Sequence, residues 1–237
     1  MENLTSLKSL DLCFSFYPEI RKIGSLPHLF KKLVDISELK IDFGNCDNLE
    51  NQEIENLFSS FRHLNFLVDL YLRFNNCRLI SDSALKLLSS NFIYFLHLLK
   101  LKLNFSHNPQ ITDFALEILA LNLDVLSSLR NIHFNFTNCN KISYNGIKSF
   151  SLGLRNLKSL TSIFLMFHKN KYIGENGLKD LVSSVSNLES LSETILYFFG
   201  GQYIDPERFT TICAQLKTGF VRTMYNYNKY SFPSSKS

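Results

Sequence analysis

The chain has 237 residues, 45% of them hydrophobic and 19% charged, with a formal net charge of +4; this is enough apolar material for a full core and too little charge for a disordered chain. Its five cysteines are odd in number and contain no CxxC pair, which argues against a disulfide framework and suits free thiols in a reducing compartment. No stretch reaches the ~18 uninterrupted apolar residues that a membrane-spanning helix requires.

The first residues, Met1 to Leu7, lack the basic start and apolar run of a secretory signal. The expected location is therefore cytoplasmic, with the nucleus left open. The chain enters its first unit at Leu4 without a capping segment, and stacked repeats need covered ends. A neighbouring subunit or a longer chain is expected to cover that end. From Leu7 to Phe14 apolar residues alternate with others, the period of a strand with one buried face. The pattern restarts at Ile36, Leu67, Leu98, Leu129, Leu160 and Leu191. The first interval is 29 residues and each later one is 31, so the chain reads as about seven repeated units. Phe14, Phe43, Phe74, Phe105, Phe136, Phe167 and Phe198 occupy the same place in all seven.

Three residues after that phenylalanine stands Cys46, Cys77, Asn108, Cys139 or Asn170, small polar side chains able to satisfy backbone groups as the chain leaves the strand. An aliphatic residue follows at Ile20, Leu49, Ile80, Ile111, Ile142, Ile173 and Ile204. The spacing then changes to three and four. Ser81, Thr112 and Ser143 stand where a helix N-cap belongs. Leu85, Leu88, Phe92 and Phe95 fall on one helical face, as do Leu116, Leu119, Leu123 and Leu126, and Leu178, Leu181, Val185 and Leu188. Each unit is predicted as strand, turn, helix and return. No Gly/Ser or Pro linker interrupts the chain, so residues 1–216 are expected to form one solenoid, with the last repeat as its C-terminal cap.

The pattern LxxLxLxFxx(C/N)xx(I/L) followed by a helix resembles the leucine-rich-repeat family, most of all its long-repeat, ribonuclease-inhibitor-like branch. One departure is that the Cys or Asn stands five positions after the second strand leucine, where the family has three. Tyr17 and Gly201 replace it in the first and last units. The resemblance implies an α/β solenoid of about seven 31-residue repeats, with a curved parallel sheet on the concave side and helices on the convex side. It also implies protein binding without chemistry, as an interaction module or scaffold subunit of a larger complex. Some relatives regulate GTPases as activating proteins, and others are substrate-recognition subunits of ubiquitin ligases. Both remain alternatives.

In such a solenoid the outward strand residues form columns across the sheet. The first is Asp11, Lys40, Tyr71, Lys102, His133, Phe164, Ile195; the second is Cys13, Asp42, Arg73, Asn104, Asn135, Met166, Tyr197; the third is Ser15, Gly44, Asn75, Ser106, Thr137, His168, Phe199. They change from charged to aromatic along the chain. Exposed rings are favoured anchors at protein interfaces. Phe164, Met166, His168, Tyr197 and Phe199 are thus expected to anchor a partner, with Tyr71, Arg73, Lys102, His133 and Asn135 giving polar contacts. The competing reading is that the chain's own C-terminal tail covers these rings. That tail, residues 217–237, is basic and aromatic, and no acid follows Glu207. Cations interleaved with rings suit single-stranded nucleic acid, but four scattered cations are a weak signal, and a docked or solvated tail is preferred.

No phosphate-binding glycine loop or kinase signature occurs. The six histidines show no spacing that pairs them with a nucleophile. The cysteine ladder offers one thiol per unit and no histidine to complete a tetrahedral set, so its role is expected to be structural. No catalytic residue, cofactor or metal is expected. Asn104-Phe-Ser and Asn135-Phe-Thr match the glycosylation pattern but lie on predicted strands.

Overall fold

The computed structural model describes residues 6–198, 204–216 and the backbone of 220–223. Five-residue strands β1 (Ser9–Cys13), β2 (Glu38–Asp42), β3 (Asp69–Arg73), β4 (Lys100–Asn104), β5 (Asn131–Asn135), β6 (Ser162–Met166) and β7 (Glu193–Tyr197) alternate with helices. The helices are α1 (Leu26–Phe30), α2 (Asn51–Ser59), α3 (Asp82–Ser90), α4 (Asp113–Leu123), α5 (Tyr144–Leu154), α6 (Gly174–Val185) and α7 (Pro206–Cys213). The strands form one parallel sheet in chain order. The chain is an α/β solenoid of about seven strand-and-helix units, the architecture the sequence repeat predicts.

An eighth strand, β8 (Phe220–Thr223), extends the sheet beside β7, with Ile195 opposite Arg222. It falls within the segment read from sequence as a tail. Residues 217–219 and 224–237 of that segment lie outside the described residues, as do Leu4, Phe199 and the Gly200-Gly201 pair.

Register follows the repeat. Leu39, Leu70, Leu101, Ile132 and Ile163 align across β2 to β6, as do Ile41, Leu72, Leu103, Phe134 and Leu165. All ten are buried. Neighbouring strands lie about 4.8 Å apart whereas packed helices need roughly 8–10 Å, so the sheet takes the inner, concave side and the helices the outer one.

The recurring phenylalanines form a spine through the core. Successive centroids from Phe14 to Phe198 are separated by 4.8, 5.6, 5.6, 6.2, 5.9 and 5.4 Å. The regular strand ends one residue before each phenylalanine, earlier than the alternation predicts. The parallel bonding nevertheless continues: the Phe74 amide donates to Asn104 O at 2.8 Å and the Asn76 amide to Ser106 O at 2.8 Å. In the six units whose residues are described at this position the backbone is left-handed, at Phe16, Asn45, Asn76, His107, Asn138 and Lys169.

Beyond it runs the Cys/Asn ladder. Each side chain donates to the phenylalanine carbonyl of the preceding unit: Cys46 to Phe14 O, Cys77 to Phe43 O, Asn108 to Phe74 O, Cys139 to Phe105 O and Asn170 to Phe136 O, at 2.7–3.2 Å. Tyr17, at that position in the first unit, is exposed.

The predicted N-caps open α3, α4 and α5. Thr112 and Ser143 accept from the amides of Phe114 and Asn145. Their own amides and hydroxyls donate to Asp82 and Asp113, the first helical residues of the preceding units, at 2.6–2.8 Å. Helix starts are therefore bonded both within and between units.

Candidate binding face

The sheet's outer face is built by strand parity. In each strand the second and fourth residues enter the core, leaving the first, third and fifth to point outward. The third-residue row reads Asp11, Lys40, Tyr71, Lys102, His133, Phe164 and Ile195, each opposite the next in the parallel register. Tyr71, Lys102, His133, Phe164 and Ile195 are all half-buried, so solvent reaches the row without isolating any side chain on it.

At the N-terminal end, charges neutralise one another. Lys40 Nζ lies 2.7 Å from Asp11 and 5.9 Å from the Tyr71 ring centroid. Arg73 Nη1 lies 3.0 Å from Asp42, and its Nε donates to Asn75 at 2.7 Å. Lys100 pairs with Asp69 at 3.3 Å. Burial pushes the Tyr71 hydroxyl up to about 12; Arg73 opposes this and Asp42 adds to it. It stays protonated at neutral pH and can donate to a ligand.

Toward the C-terminal end rings take over. His133 stacks on Phe164, with centroids 4.0 Å apart, and Phe164 meets Tyr197 at 5.3 Å. Burial, helped by repulsion from Lys102, holds the His133 imidazole down to about 4. It is neutral at physiological pH and completes an apolar surface with Phe164, Ile195 and Tyr197.

The fifth-residue row lies deeper than parity alone suggests. Asn135 is 4% exposed, and its Oδ1 accepts from the Thr137 amide at 2.9 Å. Asn104 likewise accepts from the amide and hydroxyl of Ser106. Both Asn-Phe-Ser/Thr matches thus lie in local turns closed by the backbone amide two positions on, and only at Ser106 does the hydroxyl add a bond. Met166 is buried, while His168 is half-buried beyond the strand end. Phe199 lies outside the described residues. The structure thus brings Tyr71, Lys102, His133, Phe164 and Tyr197 together, leaves Arg73 tied to Asp42, and draws Asn135 and Met166 inward.

The sequence columns omitted a fourth row formed by the first strand residues, including Asp69, Lys100, Ser162 and Glu193. Its signal was the same parity carried two residues back. Ser162 donates to Glu193 across β6 and β7 at 2.7 Å.

On the opposite side, Leu121 and Leu152 hold equivalent positions on α4 and α5 and are 70% and 51% exposed. Among the described residues no group of three His, Cys, Asp or Glu converges as metal ligands would, and no helix is long and apolar enough to cross a membrane.

No protein-family model matches this sequence, and no curated protein is similar to it. Among solved structures, the crystal structure of an internalin C2 from Listeria monocytogenes str. 4b F2365 is similar over 93% of this chain and 82% of that one. Its sequence identity is 18% and its TM-score 0.47.

Proposed function

We propose that this chain is a protein-binding module, without chemistry of its own, that receives its partner on the sheet face across β3 to β7. The observation that carries this reading is the continuous, half-open row from Tyr71 to Ile195, ending in the His133–Phe164–Tyr197 ring cluster. Large rings held by their neighbours lose little rotational freedom when a ligand covers them and gain by desolvation. The paired charges beside them suit a polar rim. The 31-residue unit with a helix of several turns supports placement in the long-repeat, ribonuclease-inhibitor-like branch. An intracellular, reducing setting fits the four buried free thiols.

The test is quantitative co-purification with the tagged full chain, its Phe164→Ser/Tyr197→Ser variant and a Leu121→Ser/Leu152→Ser variant. The sheet-face variant should lose the partner while keeping a similar unfolding midpoint, and the helix-face variant should retain it. A sheet-face variant that keeps the partner and loses stability would overturn this reading, as expected if the chain's own C-terminal residues cover the rings.

A further inference from the structure

Resting on the sheet face as the binding surface, we infer that its ligand is an extended polypeptide segment. A side-chain carboxylate in that segment sits against Lys102, and a large apolar side chain sits against Phe164, Ile195 and Tyr197.

The charge pattern of the face carries this. Lys40, Arg73 and Lys100 each have a carboxylate from the neighbouring strand. Lys102 does not: among the described residues its ammonium has neither an ion pair nor a side-chain hydrogen bond. It stands in register between Tyr71 and His133, whose rings leave no acid beside it in its row. The next positions, Phe164 and Ile195, are apolar. Among the described residues, the acid at that end of the face is Glu193 in the fourth row, which already accepts the Ser162 hydroxyl. His133, held neutral, adds no cation and offers a flat surface instead. Among the described side chains, the C-terminal half of the face therefore presents one positive charge without a carboxylate partner, flanked by rings, and its complement is a negative charge beside an apolar group.

The spacing fixes the segment further. Lys102 on β4 and Phe164 on β6 are two strands apart, about 10 Å at the ordinary strand separation. An extended chain advances roughly 3.3 Å per residue, so a segment crossing the strands places the apolar residue about three positions from the acid. A carboxylate meeting an ammonium on a half-buried lysine that stands in register between two rings forms a charge-assisted contact in a partly dry setting. A basic segment at the same place meets repulsion, so Lys102 confers specificity as well as affinity.

The experiment is selection of short random peptides with blocked termini against the full chain and against its Lys102→Glu variant. Blocked termini leave side chains as the only source of a carboxylate. Peptides with Asp or Glu about three positions from an aromatic or large aliphatic residue should be enriched by the parent chain. They should bind the variant at least about tenfold more weakly, and Lys or Arg should replace the acid in peptides enriched by the variant. Peptides that depend on Phe164 yet carry no acid, or that bind both chains equally, would overturn the carboxylate while leaving the sheet face as the binding surface. Retention of no peptide, or only of peptides indifferent to both Lys102→Glu and Phe164→Ser, would overturn both.

Discussion

The His133 imidazole lies over the Phe164 ring, with planes 23° from parallel and centroids 4.0 Å apart. This contact ties stability to pH. In the unfolded chain the imidazole titrates near 6.5, whereas burial and then Lys102 hold it to about 4 in the fold. Between these values the unfolded chain takes up a proton that the folded chain refuses. Stability is therefore fully present above about pH 6.5 and falls as pH drops toward 4. Urea midpoints measured across this window should fall more steeply for the parent than for His133→Gln, and parallel curves would refute the assignment.

Asn108 is fully buried and bonds twice, its Nδ2 donating to Phe74 O and its Oδ1 accepting from the Cys77 amide, both at 2.7 Å. Asn108→Ala strands two backbone groups in the core, at a cost of about 2–4 kcal/mol. Cys139→Asn places on the next rung a side chain that the rungs at Asn108 and Asn170 already hold, and should stay within about 1 kcal/mol of the parent. Chemical denaturation of the two variants measures the contrast.

The thiols should respond unequally to a water-soluble disulfide reagent. Cys13 is exposed, while the other four are buried. Burial pushes Cys77 and Cys139 up to about 12 and Cys213 up to about 11. A thiol held protonated and out of solvent is a poor nucleophile. Native protein should consume one equivalent rapidly, and denatured protein should consume the rest. A rapid second equivalent from the native chain would contradict the burial of these four thiols.

Lys169 has φ of 62° at the rung where earlier units place Asn45, Asn76 and Asn138. A left-handed backbone costs an ordinary side chain more than asparagine, whose short amide bonds locally. Lys169→Asn should raise stability by about 0.5–1 kcal/mol, read as a higher thermal midpoint.

At Gly153 on α5, an added Cβ would lie 2.7 Å from both Cα and O of Ala120 on α4. Backbone atoms cannot step aside as a side-chain end can. Gly153→Ala should therefore lose about 1–3 kcal/mol through overpacking, outweighing the roughly 0.5–1 kcal/mol that alanine contributes to a helix. A stabilised variant would mean that the two helices separate readily.

Much of this architecture is legible in the sequence because core positions repeat. Phe43, Phe74, Phe105, Phe136 and Phe167 recur every 31 residues, since each must meet the ring before and after it. The N-caps at Thr112 and Ser143 are legible for a local reason, since a hydroxyl there bonds an amide two residues on. Depth is harder to read. Parity places Asn135 and Phe164 on the same face, but only the turn closed by Thr137 reveals that Asn135 is buried. The clearance at Gly153 depends on a helix one unit away. Strand β8 carries none of the leucines that mark the others; its Phe220 to Thr223 backbone is placed by pairing with β7 alone.

Rungs such as Asn108 to Phe74 O and Cys139 to Phe105 O join equivalent places one unit apart. Excising residues 84–114 would join Ser83 to Ala115 and leave every remaining rung facing its proper counterpart. Removing one residue more or fewer would displace the ring from the spine and the amide from the ladder together. The molecule is thus lengthened or shortened in whole steps. Each such step deletes or adds one strand's outward side chains on the sheet face: excising 84–114 removes Lys102 itself, and inserting a unit between β4 and β6 would move Lys102 one strand further from Phe164.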